Sequence, residues 1–227
     1  MINPENGHAC VKCGNKCYQQ CETKKVIDSL AASEKYKRCT VVNGDLIISM
    51  QENSPNLMQS LTENLGSIEM ITGYLRITKS YALQTLSFFR SLREIQGQTL
   101  DRKDYSLLVI DNANLQELFP WNRSMNSHSN PSQVPQIKLG RGRVYFQLNP
   151  KLCLNKIYEL SNYTNIKNFS ESDVSDLSNG DKAACIIEKI DVFLEESYSD
   201  KLKIRWTHFK PDDFRTLLSY DIYYKES

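Results

Sequence analysis

The sequence predicts a mainly β protein: a solenoid with helices along its side, followed by an incomplete β-sandwich. Three observations predict it. The first is a repeated layout. Ile68-x-x-Ile71-x-Gly73-x-Leu75-x-Ile77 recurs as Leu92-x-x-Ile95-x-Gly97 and, upstream, as Val41-Val42-Asn43-Gly44-Asp45-Leu46-Ile47-Ile48. In each, an apolar stem reaches a glycine, which turns at positive φ without strain. After Gly73, Leu75 and Ile77 alternate with Tyr74 and Arg76, the pattern of a half-buried strand. Gly44 to Gly73 is 29 residues and Gly73 to Gly97 is 24. Such a period, with one short strand per repeat, points to coils that bury their apolar residues only by stacking on one another. The second observation is a helix signature between two of the repeats, at 54–66. The third is a change of character after Cys185. Ile190, Val192 and Leu194 alternate, as do Leu202, Ile204 and Trp206, then Leu218, Tyr220, Ile222 and Tyr224. Turn residues separate these runs at 197–200 and 210–213, so three strands open a β-sandwich. A sandwich needs about 100 residues, and the sequence stops at Ser227.

Taken in order, residues 1–21 hold few apolar side chains and Cys10-x2-Cys13-x3-Cys17-x3-Cys21. They cannot build a hydrophobic core and must be stapled. In 24–38, Val26, Ile27 and Leu30 are apolar and a short helix follows, ending at Lys37-Arg38-Cys39; the first strand follows at 40–49. Helix 54–66 has Ser54 as its cap, Pro55 where a missing N–H costs nothing, and Gly66 at its end. Leu57, Leu61 and Leu65 with Met58 form its core-facing side. A strand at 106–110 runs into Asp111-Asn112-Ala113-Asn114-Leu115. An Asn just before a Leu at a corner is similar to leucine-rich repeats, where a buried amide satisfies backbone groups of the next coil. Asn149-Pro150-Lys151-Leu152 marks a similar corner after a strand at 144–148. The polar stretch 121–143 reads as an exposed loop. Residues 152–163 read as helix through Leu154, Ile157 and Leu160, and 161–182 as a polar segment closing at Cys185.

Composition narrows the function. Of 227 residues, 40% are hydrophobic and 24% charged, with a net charge of +1. That is an ordinary globular balance, with neither a nucleic-acid footprint nor a polybasic membrane patch. No run approaches the roughly 18 apolar residues of a membrane span, and Asn3-Pro4-Glu5-Asn6-Gly7 is turn material rather than a signal peptide. The seven cysteines are Cys10, Cys13, Cys17, Cys21, Cys39, Cys153 and Cys185. Zinc usually takes two separated CxxC pairs, and the second is missing, so a disulfide module of a secreted protein fits better and no metal is expected. The odd count leaves one cysteine without a partner in this sequence. N-glycosylation sequons stand in polar stretches at Asn122, Asn162 and Asn168. His8, His128 and His208 form no HExxH, and no GxSxG or Walker loop occurs, so neither an enzyme nor a cofactor is expected. A β-helix can carry a lyase site, and Asp101, Asp104 and Asp111 suit one; solvated strand ends are the simpler reading. Trp206 reads as sandwich core and Trp121 as an exposed contact. Lys201, Lys203 and Arg205 alternate with Leu202, Ile204 and Trp206, so the cations face outward.

Taken together, these residues resemble the ectodomain of the insulin receptor family. Cys10-x2-Cys13-x3-Cys17-x3-Cys21 is similar to the end of its furin-like cysteine-rich region. Val26-Ile27-Asp28-Ser29, Cys39-Thr40-Val41-Val42-Asn43-Gly44-Asp45-Leu46-Ile47-Ile48, Gly73-Tyr74-Leu75-Arg76-Ile77, Ser80-Tyr81-Ala82-Leu83 and Leu86-Ser87-Phe88-Phe89-Arg90 are similar to its second L domain. Asn149-Pro150-Lys151-Leu152-Cys153-Leu154 resembles the closing coil. Asp200-Lys201-Leu202-Lys203-Ile204-Arg205-Trp206 and Pro211-Asp212-Asp213-Phe214-Arg215 resemble the first fibronectin type III domain. The epidermal growth factor receptor family also has L domains, but follows the second with more cysteine-rich modules, whereas Cys185 is followed by strands.

The resemblance implies three segments. Residues 1–21 are the end of the cysteine-rich region. Residues 22–185 are a receptor L domain, a right-handed β-helix of leucine-rich-repeat-like type. Residues 186–227 are the N-terminal part of a fibronectin type III domain. It implies the disulfides Cys13–Cys17, Cys21–Cys39 and Cys153–Cys185, with the partner of Cys10 upstream of Met1. It also implies a glycoprotein outside the plasma membrane, reaching the membrane only through parts of the receptor absent here. The implied partners are an insulin-like peptide hormone and a second protomer of a disulfide-linked dimer; the implied parent is a receptor tyrosine kinase whose kinase lies elsewhere. The family's main hormone site falls on the first L domain and on a segment near the C-terminal end of the α-subunit, neither of them here. Its second hormone surface falls on Asp200, Lys201, Lys203 and Arg205, where Lys203 replaces an apolar residue. A soluble decoy that binds hormone without signalling is the alternative. The length of 122–142 points to an invertebrate member.

Overall fold

The computed structural model describes residues 18–23, 26–120, 137–185, 190–209 and 219–223. Expectations that rest on Cys10, Cys13, Cys17, Trp121, Asn122, His128 or residues 211–215 lie outside the described residues. The chain divides into two units, Met1–Ala183 and Ala184–Ser227, each described by itself.

The first unit is mainly β with parallel sheets. Each repeat supplies two strands, not the single strand expected, because the glycine corner falls between them. The stems before the corners pair as β1 (Gln20–Glu22), β2 (Val41–Asn43), β4 (Met70–Ile71), β6 (Glu94–Ile95) and β8 (Lys138–Leu139), in that spatial order. The stretches after the corners pair as β3 (Leu46–Ile48), β5 (Leu75–Thr78), β7 (Tyr105–Ile110) and β9 (Arg143–Gln147). Every neighbouring pair in both sheets is parallel. β1 opens the first sheet from inside the segment assigned to the cysteine module. β8 lies in the segment expected as a loop, where Ile137 and Leu139 are buried.

Register does the packing. Leu46, Leu75, Leu107 and Val144 stand in one row, and Ile48, Ile77, Val109 and Phe146 in the next. Val42, Ile71, Ile95 and Leu139 form the matching row of the other sheet. All twelve are buried and belong to one apolar cluster. Strands this short are held only by their neighbours: Leu46 N–H donates to Tyr74 O at 2.9 Å, and Gly97 N–H to Gly73 O at 3.0 Å.

The corner glycines serve two purposes. Gly44 and Gly97 turn at φ 102° and 66°, where a side chain would be strained. Gly73 has no positive φ, contrary to expectation. It is glycine because a Cβ there would sit 2.8 Å from the Gly44 carbonyl carbon and collide with the Asp45 carboxylate.

The helices lie between the repeats. α1 (Leu30–Glu34) is capped by Ser29, whose Oγ accepts from Ala32 N–H at 3.3 Å. It ends at Glu34, earlier than the expected end at 37–39, and the fully buried Ile27 ahead of it bridges Ile48. α2 (Leu57–Leu65) buries Leu57, Leu61 and Leu65 as predicted, but Ser54 is not its cap. The Ser54 carbonyl accepts from Leu57 N–H at 3.0 Å, so Pro55 sits in a turn and the helix starts later. Buried Asn64 donates to Ser33 Oγ at 2.8 Å, tying α2 to α1. The helix expected over 152–163 is two, α3 (Leu154–Tyr158) and α4 (Leu160–Tyr163).

A buried polar ladder runs along the other corner. Asn112 accepts from Ser80 N–H at 3.0 Å and donates to Ile77 O at 3.2 Å and Asn149 Oδ1 at 3.0 Å. Asn149 donates to Val109 O at 2.9 Å and Asn179 Oδ1 at 2.8 Å. Asn179 closes the ladder on Phe146 O at 3.0 Å. The Asn that precedes a Leu, Asn114, is instead at the surface, bonded to Tyr81 O and Lys151. The ladder takes the residue just after each left-handed corner: Lys79, Asp111 and Leu148 have φ of 51°, 57° and 58°.

A disulfide joins Cys21 in β1 to Cys39 before β2, with Cα atoms 5.9 Å apart. Cys153 and Cys185 are also disulfide-bonded. Cys39→Ser opens a loop spanning 18 residues, which costs about 3 kcal/mol in the chain-entropy model. We expect the melting temperature to fall by about 6–12 °C, read by calorimetry; a fall of only a degree or two would show that the bond carries no stability.

Among the described residues the second unit shows a hairpin. β10 (Val192–Ser197) pairs antiparallel with β11 (Leu202–Trp206), and Tyr198 N–H donates to Lys201 O at 2.8 Å across the turn. Of the third expected strand only 219–223 are described, and these are irregular. Strands need an edge in register, and here Tyr220 is held through its side chain. Its hydroxyl accepts from Phe209 N–H at 2.8 Å and its ring meets Trp206 at 5.4 Å. The apolar face expected to be sandwich core is open, with Val192, Leu194 and Leu202 each at least 60% exposed.

Candidate functional site

The hairpin holds the residues expected to contact hormone. Asp200 stands exposed in its turn, and Lys201, Lys203 and Arg205 point outward as expected. The stripe is not a free basic surface, however. Lys203 Nζ lies 3.1 Å from Glu196 Oε1 and 3.5 Å from Glu195 Oε2, and Arg205 Nε donates to Glu195 Oε1 at 3.0 Å. Arg205 also covers the Phe193 ring at 5.0 Å, and Lys201 the Tyr198 ring at 4.6 Å. The Tyr198 hydroxyl donates to Glu196. That bond, with the one from Lys203, holds the Glu196 carboxyl below the usual range, and it pushes the Tyr198 phenol up. Antiparallel register sets Lys203 opposite Glu196. Glu195-Glu196 is the sequence signal for this pairing, and it becomes readable only once the turn is placed.

A second surface has no counterpart among the residues expected from sequence. It is the outer side of the sheet β3–β5–β7–β9. Strand alternation sends Leu46, Leu75, Leu107 and Val144 inward, and the same register sets Ile47, Arg76, Leu108 and Tyr145 in one row on the opposite side, where Leu108 is buried and the other three are partly exposed. Tyr74 and Tyr105 flank it. The Tyr105 and Tyr145 rings meet at 4.8 Å. The Arg102 guanidinium lies 5.2 Å over Tyr145 and donates to its hydroxyl at 3.4 Å. Arg76 donates to Asp101 Oδ2 at 2.9 Å. At the border Arg143 Nη2 lies 2.6 Å from Asp173 Oδ2. Burial pushes the Asp173 carboxyl up, but bonds from Ser170 N–H, Arg143 and the Ser170 hydroxyl outweigh this and leave it below its ordinary value. Burial, then the Asp45 and Asp101 charges, push the Tyr74 phenol up.

This surface also resolves the acidic residues. Asp101 is the partner of Arg76, the Asp104 carbonyl accepts from Arg143 N–H at 2.8 Å, and Asp111 forms a left-handed corner. They support the strand ends. Among the described residues no three His, Cys, Asp or Glu are placed to hold a metal ion. The sequon residues Asn162 and Asn168 are both exposed.

The family model described as "Receptor L domain" matches residues 38–165, more than half of the sequence. The protein belongs to the receptor L domain family. Its relatives place it further. It is 35% identical over 224 residues to the insulin-like peptide receptor of Branchiostoma lanceolatum, covering 98% of this protein and 15% of that one. It is 36% identical over 220 residues to the insulin receptor-related protein of Mus musculus, with 96% and 16% covered. It is 34% identical over 222 residues to the insulin receptor of Xenopus laevis, with 96% and 15% covered. The likeness to insulin receptor family members thus runs through nearly all 227 residues, which span about 15% of the relatives' length. The matched L domain contains the Tyr–Arg surface; the hairpin lies outside the family model. The region matched is not a kinase domain. No helix among the described residues is long and apolar enough to cross a membrane.

Proposed function

We propose that this protein is an extracellular segment of an insulin-like-peptide receptor of the tyrosine kinase type. The likeness over 98% of its length to an insulin-like peptide receptor carries this reading. The L domain is a right-handed β-helix, a leucine-rich-repeat-like solenoid that acts as a spacer in the receptor dimer. The hairpin begins a fibronectin type III sandwich. Cys153 bonds Cys185 and Cys13 bonds Cys17; Asn122, Asn162 and Asn168 carry glycans.

The segment also contributes to hormone binding or to the contact with the second protomer. The geometry favours the Tyr–Arg surface for this. Tyrosine and arginine dominate binding hot spots, and here they are already held by one another, so little ordering is left to be done on contact. Asp200, Lys201, Lys203 and Arg205 are a weaker contact, since exposed charge pairs are worth about 0–1 kcal/mol and two of the cations are already neutralised. They tune association rate and salt dependence.

The test is hormone binding and self-association of the complete ectodomain. Arg102→Glu with Tyr145→Ala is expected to weaken one of the two at least about fivefold. Neutralising Lys201, Lys203 and Arg205 to glutamine slows association at low salt and leaves affinity within about threefold. An ectodomain that binds no insulin-like peptide sinks the receptor reading. A full-length product that binds hormone but has no kinase domain and no membrane span establishes the decoy.

A further inference from the structure

Beside the sequon Asn168-Phe169-Ser170 the L domain shows an aromatic pair, Tyr158 exposed and Phe169 partly buried against the core. Tyr158, at the end of α3, is 40% exposed, and its ring meets Phe169 edge-on at 5.6 Å. The Tyr158 hydroxyl donates to Asp176 Oδ1 at 2.9 Å, which fixes the ring. The next residue, Leu177, is 75% exposed. Apolar surface is thus concentrated where the last coil turns back.

Both flanks of Asn168 are pinned. On one side Lys167 Nζ donates to the Ser161 and Thr164 carbonyls. On the other, Ser170 N–H donates to Asp173 Oδ2 at 2.7 Å, and the Ser170 hydroxyl is held by Asp173 and Arg143. The exposed asparagine is therefore presented from a fixed backbone, next in sequence to Phe169. A pyranose has one face of polarised C–H groups, and an aromatic ring has an electron-rich face that attracts them.

We propose that an N-linked glycan on Asn168 packs its first sugar on the Tyr158–Phe169 pair, covering this patch and stabilising the last coil. This rests on the extracellular reading above. In the linkage step Asn168 Nδ2 forms a bond to the anomeric carbon of a lipid-pyrophosphate-linked oligosaccharide. The glycosyl–phosphate bond breaks, the lipid pyrophosphate leaves, and an amide proton is lost. The effect of the sugar is local: it removes apolar ring surface from water at a site where the backbone is already ordered.

The experiment secretes the full 227-residue protein from a eukaryotic host and maps glycopeptides and disulfides. Melting temperatures are then measured for the parent, Asn168→Gln, Tyr158→Leu and the double variant. Tyr158→Leu keeps apolar bulk and removes one ring face. We expect Asn168 to be occupied, and Asn168→Gln to lower the melting temperature by about 2–4 °C. In the Tyr158→Leu background the same change costs less than about 1 °C. Trimming the glycan enzymatically to its first sugar leaves the melting temperature of the parent unchanged. The proposal is overturned if Cys21–Cys39 forms and Asn162 is occupied while Asn168 is bare. It is overturned equally if Asn168→Gln costs the same in both backgrounds, or if only Asn162→Gln shows the Tyr158 dependence. If both sequons are bare and Cys21–Cys39 stays reduced, the extracellular reading fails and this inference falls with it.

Discussion

Leu75→Asp is expected to abolish folding of this protein and its release from a secreting host. Leu75 is fully buried, with Leu46 and Leu107 as its register neighbours on either side. The substitution forfeits the burial of a leucine, about 1.5–3 kcal/mol. It also forces a carboxylate into an apolar row with no cation and no donor in register, which costs several kcal/mol more even if the group takes up a proton. The sum rivals the whole net stability of a domain, about 5–15 kcal/mol. Leu75→Ala is the milder comparison and costs about 2–5 kcal/mol. Secretion titre and circular dichroism of the two variants check this. A Leu75→Asp protein secreted at parental level with parental melting would mean the strand register is wrong.

Asn149→Ala has the second-largest effect. The Asn149 amide sits fully buried in the polar ladder. It donates to Val109 O and Asn179 Oδ1 and accepts from Asn112 Nδ2 at 3.0 Å and Asn112 N–H at 3.3 Å. Alanine removes the amide and leaves those groups where water does not reach. Each orphaned group costs about 1–3 kcal/mol, so the loss is about 3–6 kcal/mol and the melting temperature falls by roughly 10 °C or more. Asn114→Ala, the control, removes a surface amide and lowers the melting temperature by no more than about 2–4 °C. Equal effects of the two substitutions would show that the ladder is dispensable.

The core of this protein was legible because its signal is local. Apolar alternation around Gly44, Gly73 and Gly97 is a property of a few adjacent residues, and the rows Leu46–Leu75 and Ile48–Ile77 follow from aligning one repeat on the next. The apolar face of α2 was legible for the same reason: Leu57, Leu61 and Leu65 recur at helical spacing whatever they pack on. The disulfide Cys21–Cys39 needed the likeness to a known family, since spacing alone left the pairing open.

Tertiary structure alone decided what depends on neighbours some thirty residues away. Gly73 is glycine because the backbone of the preceding coil passes against it, not because its own backbone turns. Asn112 is fully buried and Asn114 only partly because the left-handed corner at Asp111 sends the first toward the next coil. Over a shorter separation, Lys203 and Arg205 are ion-paired because antiparallel pairing brings Glu195 and Glu196 across from them. Arg102 and Tyr105 come from one coil and Tyr145 from the next, and they meet only when parallel strands stack. Sequence by itself determined which side of each strand is apolar, since that is written in the period of two along the strand. The side-chain partners on the outer face were set by register between coils, which no single coil encodes.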